Sequence, residues 1–275
     1  MKPWQTVVRY GAIALASVMI FSIAFWGLRI FGIAFAVASV GTYEEAEVYS
    51  FNANGIENLK IDIAAAQFSL KFSNGDKITV KTNIKNLTAK ESGNTLKVKE
   101  KQGLFTVTNT DAFVEIFYPI DFEFKDVDID SGAGQLGINY LTTERLDLDL
   151  GAGNASLHSL TVTKEADIDG GTGHLNFSSS YISGLDLDMG VGQLSMDAVL
   201  SGNNHISLGI GETFCHFYGE SDDYYLDVEK GIGEIEYYHT DDANFERNGQ
   251  ATTVKIEGGI GKISVSLEGS PNNWQ

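Results

Sequence analysis

Four D-x-D pairs stand at Asp128 and Asp130, Asp147 and Asp149, Asp167 and Asp169, and Asp186 and Asp188. Paired carboxylates can do two kinds of chemistry. They can share a hard cation such as Ca²⁺, which takes several oxygen ligands at roughly 2.3–2.6 Å. They can also act as acid and base on a glycosidic bond, which needs two carboxyls about 5–9.5 Å apart in different environments. The uniform repetition, with no Arg or Lys interleaved among the pairs, gives nothing to tell an acid from a base, so no enzyme is expected. Two carboxylates per repeat are also too few and too regular to specify one cation. The pairs therefore predict weak, multisite Ca²⁺ binding, a face for a basic partner, or a solvated negative surface that keeps the chain soluble.

Other chemistry-bearing residues are sparser. Cys215 is the only cysteine, which excludes an intrachain disulfide and thiolate-built metal sites, and Phe214 and His216 beside it suit a small buried hydrophobe. His158, His174, His205, His216 and His239 fall in different registers and form no ligand cluster. Phe217, Tyr218, Tyr224, Tyr225, Tyr237 and Tyr238 give the chain an aromatic end, read as core filling or as a platform for a glycan or peptide.

The stretch GAGQLG, Gly132 to Gly137, fits a dinucleotide-binding turn letter for letter. That turn must open a helix whose N-terminus receives the pyrophosphate, and here a second strand-like run follows. The motif also recurs. G-x-G triplets begin at Gly132, Gly151, Gly171, Gly190, Gly209, Gly231 and Gly259, spaced by 19, 20, 19, 19, 22 and 28 residues. An earlier segment, KIDIAAAQFSLKF from Lys60, fits the same frame with alanine replacing both glycines.

Apolar and polar residues alternate on both sides of each triplet, the signature of strands with one buried face. Three residues before the first glycine stand Ile61, Ile129, Leu148, Ile168, Leu187, Ile206, Val228 and Ile256, and four after it stand Phe68, Leu136, Ala155, Leu175, Leu194, Thr213, Ile235 and Ile263. About twenty residues with two short strands and a glycine corner make one coil of a β-solenoid. The fold class is therefore all-β, a single-stranded β-solenoid, or β-helix, of stacked coils. The Asp pairs point outward if the aliphatic columns point inward.

Gly11 to Leu28 is an uncharged run long enough, at about 27 Å as a helix, nearly to match a bilayer core. Lys2 and Arg9 precede it, and Glu44, Glu45 and Glu47 follow, which orients the N-terminus to the cytoplasm and the rest outside. Ala36-Val37-Ala38 offers a rival cleavage site, but the apolar region is too long for a signal peptide. The expected organisation is a cytoplasmic segment (1–10), a transmembrane helix (11–40), a linker (41–55), irregular coils or a cap (56–126), regular coils (127–268) and a tail (269–275). Within the irregular part, SNGDK reads as a hairpin turn between FSLKF and ITVKT, and TLKVKE, GLFTVTN and FVEIFYPIDFEF as further strands.

Residues 1–43 hold three basic residues and no acid, so the remainder carries 16 basic against 37 acidic residues. That balance disfavours nucleic acid and favours cations, basic proteins or cationic peptides.

The N-terminal anchor, the irregular strands, the Tyr118-Pro119 turn and the recurring LDLDxGxGxLxL coils together resemble the putative adhesin family of bacterial envelope proteins, a domain of unknown function. The resemblance spans roughly residues 50 to 268. It implies a cell-surface β-helix at a bacterial cell membrane, and it supplies no catalytic residues. The function expected is an extracytoplasmic binding, adhesin-like or scaffold module that meets an envelope protein, a basic peptide or a glycan through its aspartate face or its aromatic coils. The rivals are end-to-end polymerisation through open terminal coils and a polysaccharide-active β-helix enzyme.

Overall fold

A computed structural model describes residues 46–101, 111–219, 223–238 and 252–269. The apolar run of 11–40 and the strand read at GLFTVTN lie outside the described residues. Among the described residues, no helix is long and apolar enough to cross a membrane.

The fold is all-β and solenoid-like. Twelve strands form one sheet system: β1 (Glu47–Asn52), β2 (Asn58–Ser73), β3 (Lys77–Thr82), β4 (Leu87–Ser92), β5 (Thr95–Glu100), β6 (Phe113–Pro119), β7 (Glu123–Asp169), β8 (Thr172–Ser183), β9 (Leu185–Ser201), β10 (Asn203–Tyr218), β11 (Tyr224–Tyr238) and β12 (Thr252–Glu268). The hydrogen-bonded order is β1-β3-β6-β2-β7-β8-β9-β10-β12-β11, and every pairing from β2 through β12 to β11 is parallel. In-register parallel stacking over nearly the whole molecule is what makes the repeat visible as columns. Ile61 pairs with Ile129, Ile168 with Leu187, Leu187 with Ile206, and Ile206 with Ile256. All of them are fully buried, each contributing about 1.5–3 kcal/mol relative to an exposed side chain. The second column is buried too, from Phe68 to Ile263, with Ile235 only partly covered.

The triplet corner works through backbone contact. The second glycines Gly134, Gly153, Gly173, Gly192, Gly211, Gly261 and Gly233 have φ between +133 and +151. That region is essentially closed to residues with a Cβ. A Cβ on Gly192 would lie 1.8 Å from the Gly173 carbonyl oxygen, and one on Gly211 would lie 1.7 Å from that of Gly192. Each corner carbonyl therefore sits where the next coil's side chain would begin.

This explains the alanines of the first coil. β2 pairs with β5 over 58–62 and with β6 over 67–73 on one side, leaving its corner without a strand there among the described residues. Nothing on that side demands glycine at Ala66. The half-buried amide of Ala64 instead donates to the buried carboxylate of Glu100, at 2.9 Å. At the other end, Lys230 donates to the carbonyl of Gly233 at 2.9 Å, so an ammonium takes the acceptor over which a further coil's glycine would stack.

Four features depart from the expectation. Each early coil has a second bend six residues after the second glycine, at Tyr140, Ser159 and Ser179, whose φ values are 70, 52 and 53. Burial there shifts phase: Leu175 and Phe177 are buried, then Ser180 and Ile182. Ser178 and Ser179 together face the single residue Asp197 of β9, so this bend is a bulge that β9 lacks. The turn after β2 is not a hairpin, because β6 lies between β2 and β3. The segment assigned as a linker contains β1, paired antiparallel with β3. Finally, the last two coils exchange places: β12 is inserted between β10 and β11. The wider spacings before Gly231 and Gly259 mark that crossover.

The cap is stitched to the coils by Tyr118, which is buried, meets Phe124 edge-on at 5.6 Å between ring centroids, and donates its hydroxyl to the Tyr140 carbonyl at the second bend.

The corner predicts a sharp contrast between two Gly→Ala substitutions. Gly192→Ala combines forbidden φ with a backbone clash and should cost about 3 kcal/mol or more. Gly137→Ala, whose Cβ would meet nothing closer than 4.0 Å, should change stability by less than about 1 kcal/mol. Urea unfolding of both variants decides the point.

Candidate functional site

The arm before each corner carries the Asp pairs outward, and stacking turns them into two ladders. Asp62 pairs with Asp130, Asp167 with Asp186, and Asp169 with Asp188. Seven of the eight predicted site residues are exposed, with Asp128 half-buried. Asp130, Asp149, Asp169 and Asp188 line one open groove of about 660 Å³, floored by the corner glycines and bounded by Leu150 and Met189. Asp128, Asp147, Asp167 and Asp186 run alongside as the outer ladder. Among the described residues, no three His, Cys, Asp or Glu side chains converge as a metal-binding group. The acids form a line instead of a cage.

Parallel register compels like charges to stack about 4.8 Å apart, and both ends of the ladders are neutralised. Lys60 pairs with Asp128 and Lys99 with Asp62. At the far end, His205 replaces aspartate in the outer ladder. Its Nδ1 lies 3.1 Å from Asp186 and its Nε2 lies 3.2 Å from Glu257, while Lys255 reaches Glu257 at 2.5 Å. The middle has no such relief. The Asp149 carboxyl is held above the usual aspartate range, first by partial loss of solvent and then by Asp147, Asp169 and Asp130. Asp147 is raised by lost hydration first and by Asp128 next, with Lys60 opposing, and Asp167 by lost hydration first and by Asp147, Asp186 and Asp169 next. Of these three acids Asp149 lines the groove, and Asp147 and Asp167 stand in the ladder beside it.

Sequence reasoning treated the histidines as scattered. His158 and His174 make single polar contacts, to Ser178 at 2.9 Å and Asn154 at 3.1 Å. His205 and His216 are different, because each lies between a carboxylate of β9 and one of β12. His216 Nδ1 is 3.5 Å from Asp197 and Nε2 is 3.3 Å from Glu268. The readable signal was the acid standing one period before each histidine, Asp186 and Asp197. Cys215 is buried, and burial pushes its thiol up to about 12, which suits a packing residue. The aromatic end divides: Tyr224 is buried, stacks on Phe217 at 5.9 Å, and donates to the Tyr218 carbonyl at 2.8 Å, whereas Tyr237 and Tyr238 are 43% and 49% exposed.

Two consequences of titration are measurable. A raised aspartate binds protons more readily folded than unfolded, so its contribution to stability falls as pH rises from the ordinary aspartate range through the raised value. Asp149→Asn should therefore raise Tm at pH 7 in low salt by about 2 °C; the gain should vanish near pH 4 and shrink in molar NaCl, which screens the neighbouring aspartates but does not restore hydration. For His205, burial opposes the charge, but hydrogen bonds to Glu257 and Asp186 outweigh it and raise the pKa. Its stabilisation is complete below the ordinary histidine value of 6.5 and is lost as pH rises through the folded value. The Tm difference between the native chain and His205→Gln should shrink from pH 5.5 to pH 8.5.

The chain is similar to several solved structures. A solved structure described as a putative cell adhesion protein, from Clostridium sporogenes, is 16% identical, with a TM-score of 0.35, over 82% of this chain and 99% of that one. A putative adhesin from Bacteroides fragilis is 9% identical, with a TM-score of 0.42, over 81% and 98%. A putative lipid binding protein from Parabacteroides distasonis is 12% identical, with a TM-score of 0.35, over 83% and 95%. No curated protein matches the chain. Residues 56–272 match the Toastrack DUF4097 model, which takes in the cap, every coil and the aspartate groove, and the chain belongs to that family.

Proposed function

We propose that this protein is a membrane-anchored, extracytoplasmic binding or scaffold module of a bacterial envelope, which engages a basic partner or divalent cations through its aspartate groove. The carrying observation is the uncompensated centre of the ladders. The ends are closed by Lys60, Lys99, His205 and Lys255, while Asp147, Asp149 and Asp167 hold their charges against raised pKa values. A bound cation would relieve both the repulsion and the shift, so binding and stability are coupled. The line of carboxylates, with no cage, suits a ligand that spans several coils, such as a lysine-rich segment or several weakly held Ca²⁺ ions. Placement at the membrane rests on the apolar run Gly11 to Leu28 between Lys2 and Arg9 on one side and Glu44, Glu45 and Glu47 on the other.

Thermal unfolding titrated with Ca²⁺, Mg²⁺ and oligolysine, against NaCl of matched ionic strength, tests the reading. The midpoint should rise beyond the salt control with at least one of them, and the rise should disappear when Asp147, Asp149, Asp167 and Asp169 are all replaced by Asn. Curves that superimpose on NaCl would reduce the groove to a solvated face.

A further inference from the structure

A second polar depression lies on the arm that follows the corner, among the last coils. Register places Ser195, Phe214, Ser264 and Glu236 in one outward row, and Asp197, His216, Ser266 and Tyr238 in the next. Ser195 and Ser264 are the short members of this row, and a hollow of about 210 Å³ opens above Ser264, walled by Phe214, His216, Tyr238 and Lys262 with Asp197 at the rim.

The floor of this hollow is chemically unfinished. Ser264 is only 7% exposed, yet its Oγ has no hydrogen-bond partner. The buried Nε2 of His216 also lacks one, because Glu268, 3.3 Å away, is out of line for a hydrogen bond. Leaving a buried hydroxyl and ring nitrogen unpaired is unfavourable, because each has given up hydration with nothing in return. By contrast, the walls are held firmly. Lys262 pairs with Glu236 at 2.7 Å, and Glu236 accepts the hydroxyl of Tyr238, which fixes that half-exposed ring beside the opening.

We propose that this hollow is a subsite for one neutral sugar ring of a glycan. A sugar hydroxyl is donor and acceptor at once, which is what an orphaned serine hydroxyl and an orphaned imidazole nitrogen each require. The carbon face of a pyranose packs on aromatic rings, supplied here by Tyr238 and Phe214. Asp197 accepts a further hydroxyl at the rim. Charge favours a neutral ligand: Lys262 is paired with Glu236 and Asp197 lies 3.5 Å from His216 Nδ1, so neither wall charge is left to select an ionic ligand. The subsite uses none of the aspartates of the groove, so it stands or falls separately from the reading above.

Saturation-transfer NMR on the full chain in dodecylphosphocholine micelles, a detergent without sugar, tests the subsite. The probes are the methyl glycosides of glucose, galactose and mannose and free N-acetylglucosamine, with Nα-acetyl-lysine methylamide as the cationic comparison. At least one sugar should receive transfer at its ring C–H protons. Transfer should fall about fivefold in Tyr238→Ala, the loss of one aromatic contact, and also in Ser264→Ala. Because the Ser264 hydroxyl is unpaired, Ser264→Ala should leave Tm unchanged or higher, which separates loss of binding from loss of fold. No transfer from any sugar, transfer unchanged in Tyr238→Ala, or transfer to the lysine derivative alone would overturn the proposal. None of those results would bear on the oligolysine and Ca²⁺ titration of the groove.

Discussion

The whole molecule hangs on one backbone contact: the carbonyl of each corner lies against the Cα of the second glycine in the next coil. Parallel strands normally tolerate some sliding, because a two-residue slip restores the same faces. Here a slip would drive a side chain into a carbonyl oxygen at under 2 Å, as the position above Gly173 shows. The corner column therefore fixes register for both arms. The places where the rule relaxes are the ends of the stack. Ala66 is tolerated where, among the described residues, no strand pairs with its far side, and Lys230 covers the last corner carbonyl. That capping works against end-to-end growth, since a further coil would have to displace the ammonium and present its own glycine.

Fixed register has an electrostatic price. Any charged position in the repeat is multiplied into a ladder, and a repeat reading LDLDxGxG cannot avoid stacking carboxylates. The chain moderates this at the ends, where Lys60, Lys99, His205 and Lys255 interrupt the acids. It leaves the central coils unrelieved. A surface kept only for solubility has no need to concentrate its acids in one groove, because the same net charge spread over other outward positions would repel itself less. The groove thus combines electrostatic strain with access, the two properties on which the proposed binding of a basic partner or cations rests.

Much of this was legible in the sequence. The triplet period gave the coil, and the aliphatic columns three residues before and four after the first glycine are the buried columns of the structure. The outward Asp pairs followed from alternation alone. What stayed hidden has identifiable causes. The second bend is carried by Tyr140, Ser159 and Ser179 at positive φ, residue types that announce no turn, and in β9 it is absent. Tyr118 reads as one half of a Tyr-Pro turn, yet its hydroxyl reaches a carbonyl 22 residues away. The hollow over Ser264 is lined from four strands, β9 to β12, and no spacing in one segment encodes it.

The exchange of the last two coils shows where the corner rule stops specifying. Every G-x-G strand satisfies the same backbone contact, so either β11 or β12 could follow β10 as far as the corner is concerned. Side chains must choose. β12 presents Val254, Ile256, Ile263, Val265 and Leu267, all buried, whereas β11 offers Leu226, a partly covered Val228 and Ile235, and the bulky Tyr237. An inner layer is closed from both sides and rewards the more aliphatic strand; a terminal layer is half open and accepts tyrosine. Charge agrees. In the observed order Glu212 faces Lys262, and His205 and His216 reach Glu257 and Glu268. With β11 in that place, the register would set Glu234 opposite Glu212 and Tyr238 opposite His216. The same exchange sets Ser264 between Phe214 and Glu236, so the choice of the inner strand also creates the hollow.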